Sequence, residues 1–278
     1  MRHKPSVNAN IFIKIAGFTL IELSIVLVII GLVVGGVLVG QDLIHSAQLR
    51  SQVTQLEKLN SAATAFRLKY NALPGDILRD DAISLDLYTA SSIAQDLDYS
   101  RLITDDNGDG LIGEKLVGTN QVVYKYQGEM AMFFRHLSDA NIIEGSYGAD
   151  LDNQAISNGT PNTRLPEAKL GNGQFITVTH YMGANRYIIS DISSIVNTFR
   201  YINATSISMS TSDAYNIDVK IDDGKPMSGN VVSMFIPQSD DILTLGDNSN
   251  NPECVTIASE YNLTDTSLAC SVMVKAAF

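Results

Sequence analysis

The chain has 278 residues, 45% of them apolar, which suffices for a folded unit with a real core and sets it apart from a disordered polypeptide. Its formal net charge of −11 opposes phosphate backbones and anionic membrane surfaces, so nucleic acid is not an expected partner and cations are. Two cysteines are too few for a metal–thiolate cluster, and the four histidines, His3, His45, His136 and His180, have no phosphate loop, zinc pair or nucleophile elbow around them. No enzyme chemistry is expected, and His136 reads as structural.

The first residues are basic. Arg2, Lys4 and Lys14 precede Phe18 and no acid does, so removal of residues 1–17 would leave 16 bases against 30 acids, a net charge of −14. From Phe18 to Val39 the chain is predominantly apolar and Glu22 is its single charged residue. At about 1.5 Å per residue, these 22 residues reach across a hydrocarbon layer of about 30 Å. An ordinary secretory signal places its apolar core before the cleavage point, whereas here the apolar run follows Ala16-Gly17 and would survive processing. The basic leader puts the carboxyl-terminal body outside the cytoplasm. A carboxylate in the middle of a membrane costs at least about 2.5 kcal/mol on insertion scales; Glu22 sits near one end of the run, where the interface can still solvate it, but an isolated acid there still calls for a reason. The bland alternative is an uncleaved single-span anchor in which Glu22 is incidental.

The run Gly17-Phe18-Thr19-Leu20-Ile21-Glu22-Leu23-Ser24 resembles the processing signal of type IV pilins and type II secretion pseudopilins. That resemblance implies cleavage between Gly17 and Phe18 by a prepilin peptidase, N-methylation of Phe18, and a role for Glu22 in meeting the amino terminus of a neighbouring subunit during assembly. It implies an α+β, pilin-like fold, in which a long amino-terminal helix, transmembrane and then amphipathic, packs against an antiparallel β-sheet head. The expected organisation is a leader at 1–17, a membrane and filament-core helix at 18–40, an amphipathic continuation at 41–72, and a periplasmic or extracellular head at 73–278. The partners implied are the prepilin peptidase, other pilin or pseudopilin subunits and an inner-membrane platform protein. The protein would sit in a bacterial inner membrane as a single-pass subunit with a periplasmic head, and in a pilus or pseudopilus filament afterwards. A mature length of 261 residues, from Phe18 to Phe278, suits a minor or specialised subunit. The alternative function is a filament-tip adhesin or substrate-binding module anchored by a pilin helix, and stoichiometry in sheared filaments separates the two. Pilins of the best-known subclass carry a proline near the end of the apolar segment, and this sequence has none there.

After Gly40, Leu49, Val53, Leu56, Leu59, Ala63, Phe66 and Tyr70 recur every three or four residues, which predicts a helix with one apolar stripe for docking the head. Asn71-Ala72-Leu73-Pro74-Gly75-Asp76 should end it. A short amphipathic helix is expected over 133–143, and strands over 173–181, 186–192, 215–221, 231–236 and 269–275. At 216–226 a strand running into a turn competes with a second cation site.

Asp105-Asp106-Asn107-Gly108-Asp109-Gly110-Leu111-Ile112-Gly113-Glu114 looks like a calcium loop. Asp105, Asn107 and Asp109 alternate as oxygen ligands, Gly110 permits a sharp turn, Leu111 offers a carbonyl, Ile112 anchors to the core, and Glu114 or a distant acid adds charge. The bidentate glutamate of the helix-loop-helix pattern is missing, because position 116 is Leu116. The competing reading is an Asx-rich turn with solvated carboxylates. Cys254 and Cys270 can form a disulfide if the body is exported, worth roughly 3 kcal/mol for a loop of that size, or remain as two buried thiols.

Overall fold

The structure is a computed structural model that describes residues 19–87, 108–113, 128–148, 164–171, 173–196, 201–205, 209–235, 244–245 and 253–278. The chain divides into two compact units, Met1–Ser46 and Ala47–Phe278.

Helix α1 runs over Leu20–Tyr70. In the first unit its residues are exposed nearly throughout, from Leu20 at 89% to Ile44 at 63%, and the most apolar window has a mean hydropathy of 2.9. Such an apolar surface is stable only in lipid or against other helices. In the second unit the same helix becomes one-sided. Leu49, Gln52, Leu56, Leu59, Ala62, Ala63 and Phe66 are buried, the stripe expected from the spacing. Gln52 lies within it and half of its amide is satisfied there: its Oε1 accepts the backbone N–H of Lys169 at 2.7 Å, while Nε2 is buried with no hydrogen-bond partner among the described residues.

The helix stops where the sequence says it should. Asn71 takes a left-handed conformation (φ 56°), its N–H reaches back to the Arg67 carbonyl, and Leu73 and Asp76 then close a tight turn through the Asp76 N–H and the Leu73 carbonyl at 3.2 Å. A short helix α2 follows at Arg79–Ser84, and α3 at Gly128–Asp139. Helix α3 begins five residues before the expected Phe133 and ends four before Ile143.

The strands are β1 (Gln174–Tyr181), β2 (Ala184–Val196), β3 (Tyr201–Thr205), β4 (Met209–Ser210), β5 (Val231–Phe235), β6 (Thr244–Leu245) and β7 (Leu268–Lys275). Among the described residues they form an antiparallel sheet in the order β1-β2-β7-β5-β6, with β3 added to β2 and β4 to β7. The β1–β2 hairpin turns in two residues, Met182 (φ 50°) and Gly183 (φ 74°), the positive pair that matches strand twist. Burial is continuous from Gln174 to Thr179, so both faces of β1 are covered. Helix α3 lies against β1, and a fourth helix, α4 (Thr211–Ile221), lies against β5 and β7.

Four of the five expected strands appear. The fifth, at 215–221, is instead part of α4. Its alternating Ile217, Val219 and Ile221 imitate a strand, but Thr211, Asp213, Ala214, Ile217 and Asp218 are the buried set and Val219 is 50% exposed, the signature of a helical face. Ser210 caps the helix by accepting the Asp213 N–H at 3.1 Å.

Candidate functional site

At the start of α1, Thr19 and Glu22 form a reciprocal cap. The Thr19 N–H and Thr19 hydroxyl both donate to Glu22 Oε2 at 2.8 Å, and the Glu22 N–H donates to Thr19 Oγ1 at 3.3 Å. This is the capping-box arrangement, and the spacing Thr-x-x-Glu before an apolar run is its sequence signature. In a single subunit the carboxylate thus satisfies its own helix terminus rather than standing idle. Gly17 and Phe18, the expected cleavage pair, lie outside the described residues.

In the second unit the turn after α1 is clamped between α3 and the loop at 108–113. Gly75 has φ 91°, and its N–H donates to Nδ1 of buried His136 at 3.0 Å. The His136 ring stacks on Phe66 with an interplanar angle of 3° and centroids 6.0 Å apart. His136 is therefore a structural acceptor with its Nδ1 unprotonated, as the sequence suggested.

Next to it, Asp76 is only 2% exposed. Its Oδ2 accepts the Gly110 N–H at 2.6 Å, while Oδ1 is buried with no hydrogen-bond partner. Burial raises the pKa of Asp76 above the ordinary carboxylate range; the Gly110 N–H works against that rise, and the Asp109 charge adds to it. Leu111 N–H donates to Asp109 Oδ1 at 2.8 Å, an Asx turn. Ile112 is fully buried, its N–H donates to Asn185 Oδ1 at 2.9 Å, and its carbonyl accepts the His180 N–H. Asn185 Nδ2 donates in turn to the Gly110 carbonyl at 3.0 Å, and the Gly113 N–H donates to Glu129 Oε2 at 2.8 Å.

Of the expected cation ligands, Asp109 and Leu111 fall in this described piece, while Asp105, Asn107 and Glu114 lie outside it. The core anchor at Ile112 and the sharp turn at Gly110 (φ 84°) are present. Asp76, Glu129 and Asn185, which grip the loop from three other elements, were not read as part of it. Asp76 had a faint signal, an acid directly after the helix-ending Pro-Gly. Asn185 and Glu129 had none, since only tertiary contact brings them here.

A second acidic group is Asp218, Asp222 and Asp223, each with one carboxylate oxygen within 4.8 Å of the others. All three are engaged by the turn they close. Asp218 accepts the Gly224 N–H and the Tyr261 hydroxyl, both at 2.9 Å; Asp222 accepts the Asn230 N–H; Asp223 accepts the Lys225 N–H and the Ser228 hydroxyl. The turn expected at this place is present, entered from a helix rather than a strand. Cys254 and Cys270 are bonded, with Cα atoms 5.2 Å apart, and tie the segment before Tyr261 to β7.

Residues 14–38 match the family described as the prokaryotic N-terminal methylation motif. No curated protein and no solved structure matches the chain significantly. The match supports the prepilin-type signal of type IV pilins and pseudopilins within residues 14–38, a span that includes Lys14, the pair Gly17 and Phe18, Glu22 and the apolar start of α1. The long apolar helix followed by an antiparallel sheet is the α+β, pilin-like layout. The signal implies processing by a prepilin peptidase and assembly with other pilin-type subunits, and together with the apolar helix it fits membrane anchoring before assembly. It points to a structural subunit rather than an enzyme.

Proposed function

We propose that this protein is a minor or specialised subunit of a type IV pilus or type II secretion pseudopilus. Cleaved after Gly17 and methylated on Phe18, it waits in the bacterial inner membrane with its head in the periplasm, and is drawn into a filament with the help of an inner-membrane platform protein. The observation that carries the reading is a prepilin-type signal at 14–38 leading directly into a helix whose apolar side chains are exposed from Leu20 to Ile44.

The chemistry follows from α1. A Cβ added at Gly31, Gly35, Gly36 or Gly40 would meet nothing within 4 Å, so this subunit does not itself need their smallness, and neighbouring helices can approach there. Glu22, held by Thr19 in the single subunit, exchanges that partner for a neighbour's amino terminus once the helix leaves lipid. Such a pair in a dry bundle fixes register more than it adds net stability, because each charge pays for its own desolvation. The loop at 105–114 binds calcium in an acidic head, offsetting like-charge repulsion.

The test is Glu22→Ala. Membrane insertion should be unchanged and incorporation into sheared filaments should fall at least tenfold; wild-type incorporation would remove the proposed role of Glu22.

A further inference from the structure

Three Asn-X-Thr sequences occur in the chain, at Asn158, Asn203 and Asn262, each with the pattern that can accept a sugar. The fold separates them. Asn158 lies outside the described residues, and Asn203 lies within β3, paired with Ser194 of β2. Asn262 alone stands in a described turn at the surface of the head. We propose that Asn262 is a glycosylation site, modified on its side-chain amide by a transferase that takes the sugar from a lipid-linked sugar pyrophosphate. Modification there rests on the reading that places the head in the periplasm, where such a transferase meets an exported chain.

The local geometry presents the acceptor outward. Tyr261 makes an extended bridge with Val255, and its buried side chain donates its hydroxyl to Asp218 Oδ2 at 2.9 Å. Neighbouring side chains of an extended segment point to opposite sides, so inward Tyr261 turns Glu260 and Asn262 outward together. Glu260 is exposed and Asn262 half-buried. The chain then reverses, with the Asp265 N–H donating to the Asn262 carbonyl at 3.1 Å, and Leu263 and Thr264 are exposed at the tip. The Asn262 N–H donates to the Cys254 carbonyl at 2.9 Å, and the bond from Cys254 to Cys270 holds this base in place.

The side chains of the pattern are already arranged for the chemistry. The Thr264 hydroxyl donates to Asn262 Oδ1 at 2.7 Å, which sets the two defining side chains side by side. That bond draws electron density onto Oδ1 and makes the Nδ2 protons easier to lose. Glu260 adds a negative charge two residues before the amide, a handle for a basic side chain of the transferase; the matching positions before Asn158 and Asn203 are Ile156 and Tyr201. In the reaction, Nδ2 of Asn262 attacks the anomeric carbon of the donor. The N–C bond forms as the C–O bond to the pyrophosphate breaks, one Nδ2 proton passes to a base of the transferase, and the lipid pyrophosphate leaves, with nothing oxidised or reduced. The product also has a physical use. Ile257 is 88% exposed, Leu263 53% and Leu268 48%, all in the segment closed by the disulfide, and a bulky hydrated sugar shields apolar surface there.

The test is intact-mass and peptide-fragment mass spectrometry of the chain purified from the bacterium that makes it. Wild type should exceed the mass of its processed sequence, with the excess on the peptide that carries Glu260 to Thr264. Asn262→Gln and Thr264→Ala should lose the excess completely, whereas Thr264→Ser, which keeps the hydroxyl, and Asn203→Gln should retain it. An excess that survives in Asn262→Gln overturns the proposal. If the variants fail to fold, the wild-type fragments decide: sugar on Asn262 supports the proposal, and a bare Asn262 ends it. A chain that has lost residues 1–17, carries the Cys254–Cys270 bond and has only the mass of its methylated sequence overturns the sugar alone. An uncleaved, reduced and unmodified chain overturns the export reading as well.

Discussion

Replacing Asp218 by Asn tests the energetic reading of the head most directly. Asp218 lies on the inner face of α4, fully buried, and burial pushes its pKa up from its ordinary 3.8 to about 6, against the Tyr261 hydroxyl and Gly224 N–H that favour the charged form and with the help of nearby Asp223 and Asp222. The folded state therefore holds a proton between about pH 4 and 6 that the unfolded chain has released. The stability this contributes is complete below the unfolded value and is lost as pH rises through about 6. The displacement corresponds to at most about 3 kcal/mol, which a discount for solvent screening brings to about 1–2 kcal/mol. Other acids titrate too: Asp223 and Asp265 are lowered by hydrogen bonds from Lys225 and Ser267, and act in the opposite sense. The informative quantity is thus the difference between Asp218→Asn and wild type. Urea denaturation of the full chain in detergent, followed by tyrosine fluorescence since the chain has no tryptophan, gives it at pH 4 and pH 7.5. The variant should gain about 1–2 kcal/mol relative to wild type on going to the higher pH. A difference that is constant with pH, or that moves the other way, would refute the reasoning.

Three further outcomes are expected. A bulky residue at Gly17, such as Gly17→Trp, should leave an uncleaved precursor by mass spectrometry, and a normal mature mass would sink the processing site. Replacing Cys254 and Cys270 together by Ser should cost about 3 kcal/mol, the chain-entropy value for a sequence separation of 16, read as a lower denaturation midpoint; unchanged stability would mean that the bond does not form in the native protein. Gly75→Ala should destabilise the head by more than about 2 kcal/mol, because φ is 91° there and the added Cβ runs into the backbone carbonyl of Glu129 in α3. A neutral Gly75→Ala in thermal melts would show that the turn is not clamped as described.

The boundary between what sequence and what structure decide runs along the range of the interactions. Features set by neighbours within one helical turn were legible. The basic leader, the apolar run interrupted by Glu22, the stripe from Leu49 to Phe66 and the Leu73-Pro74-Gly75 stop all declare themselves through spacing, because helix periodicity and chain reversal are local physics; the Thr19–Glu22 cap, equally local, was not read from the sequence. Segment 215–221 misled for the same reason. Ile217, Val219 and Ile221 alternate as a strand would, and only the Ser210 cap together with burial against β5 and β7 selects the helix. Tertiary structure alone brought Asp76, Asn185 and Glu129 to the loop at 108–113, from 16 to 75 positions away in the sequence. Nothing local marks an asparagine in a strand as the partner of a distant glycine. Sequence by itself carries the prepilin-type signal at 14–38 that implies processing and fits membrane anchoring, since such a signal is short and linear. What the head can hold was decided by the fold, because a buried carboxylate acquires its meaning from the groups packed around it.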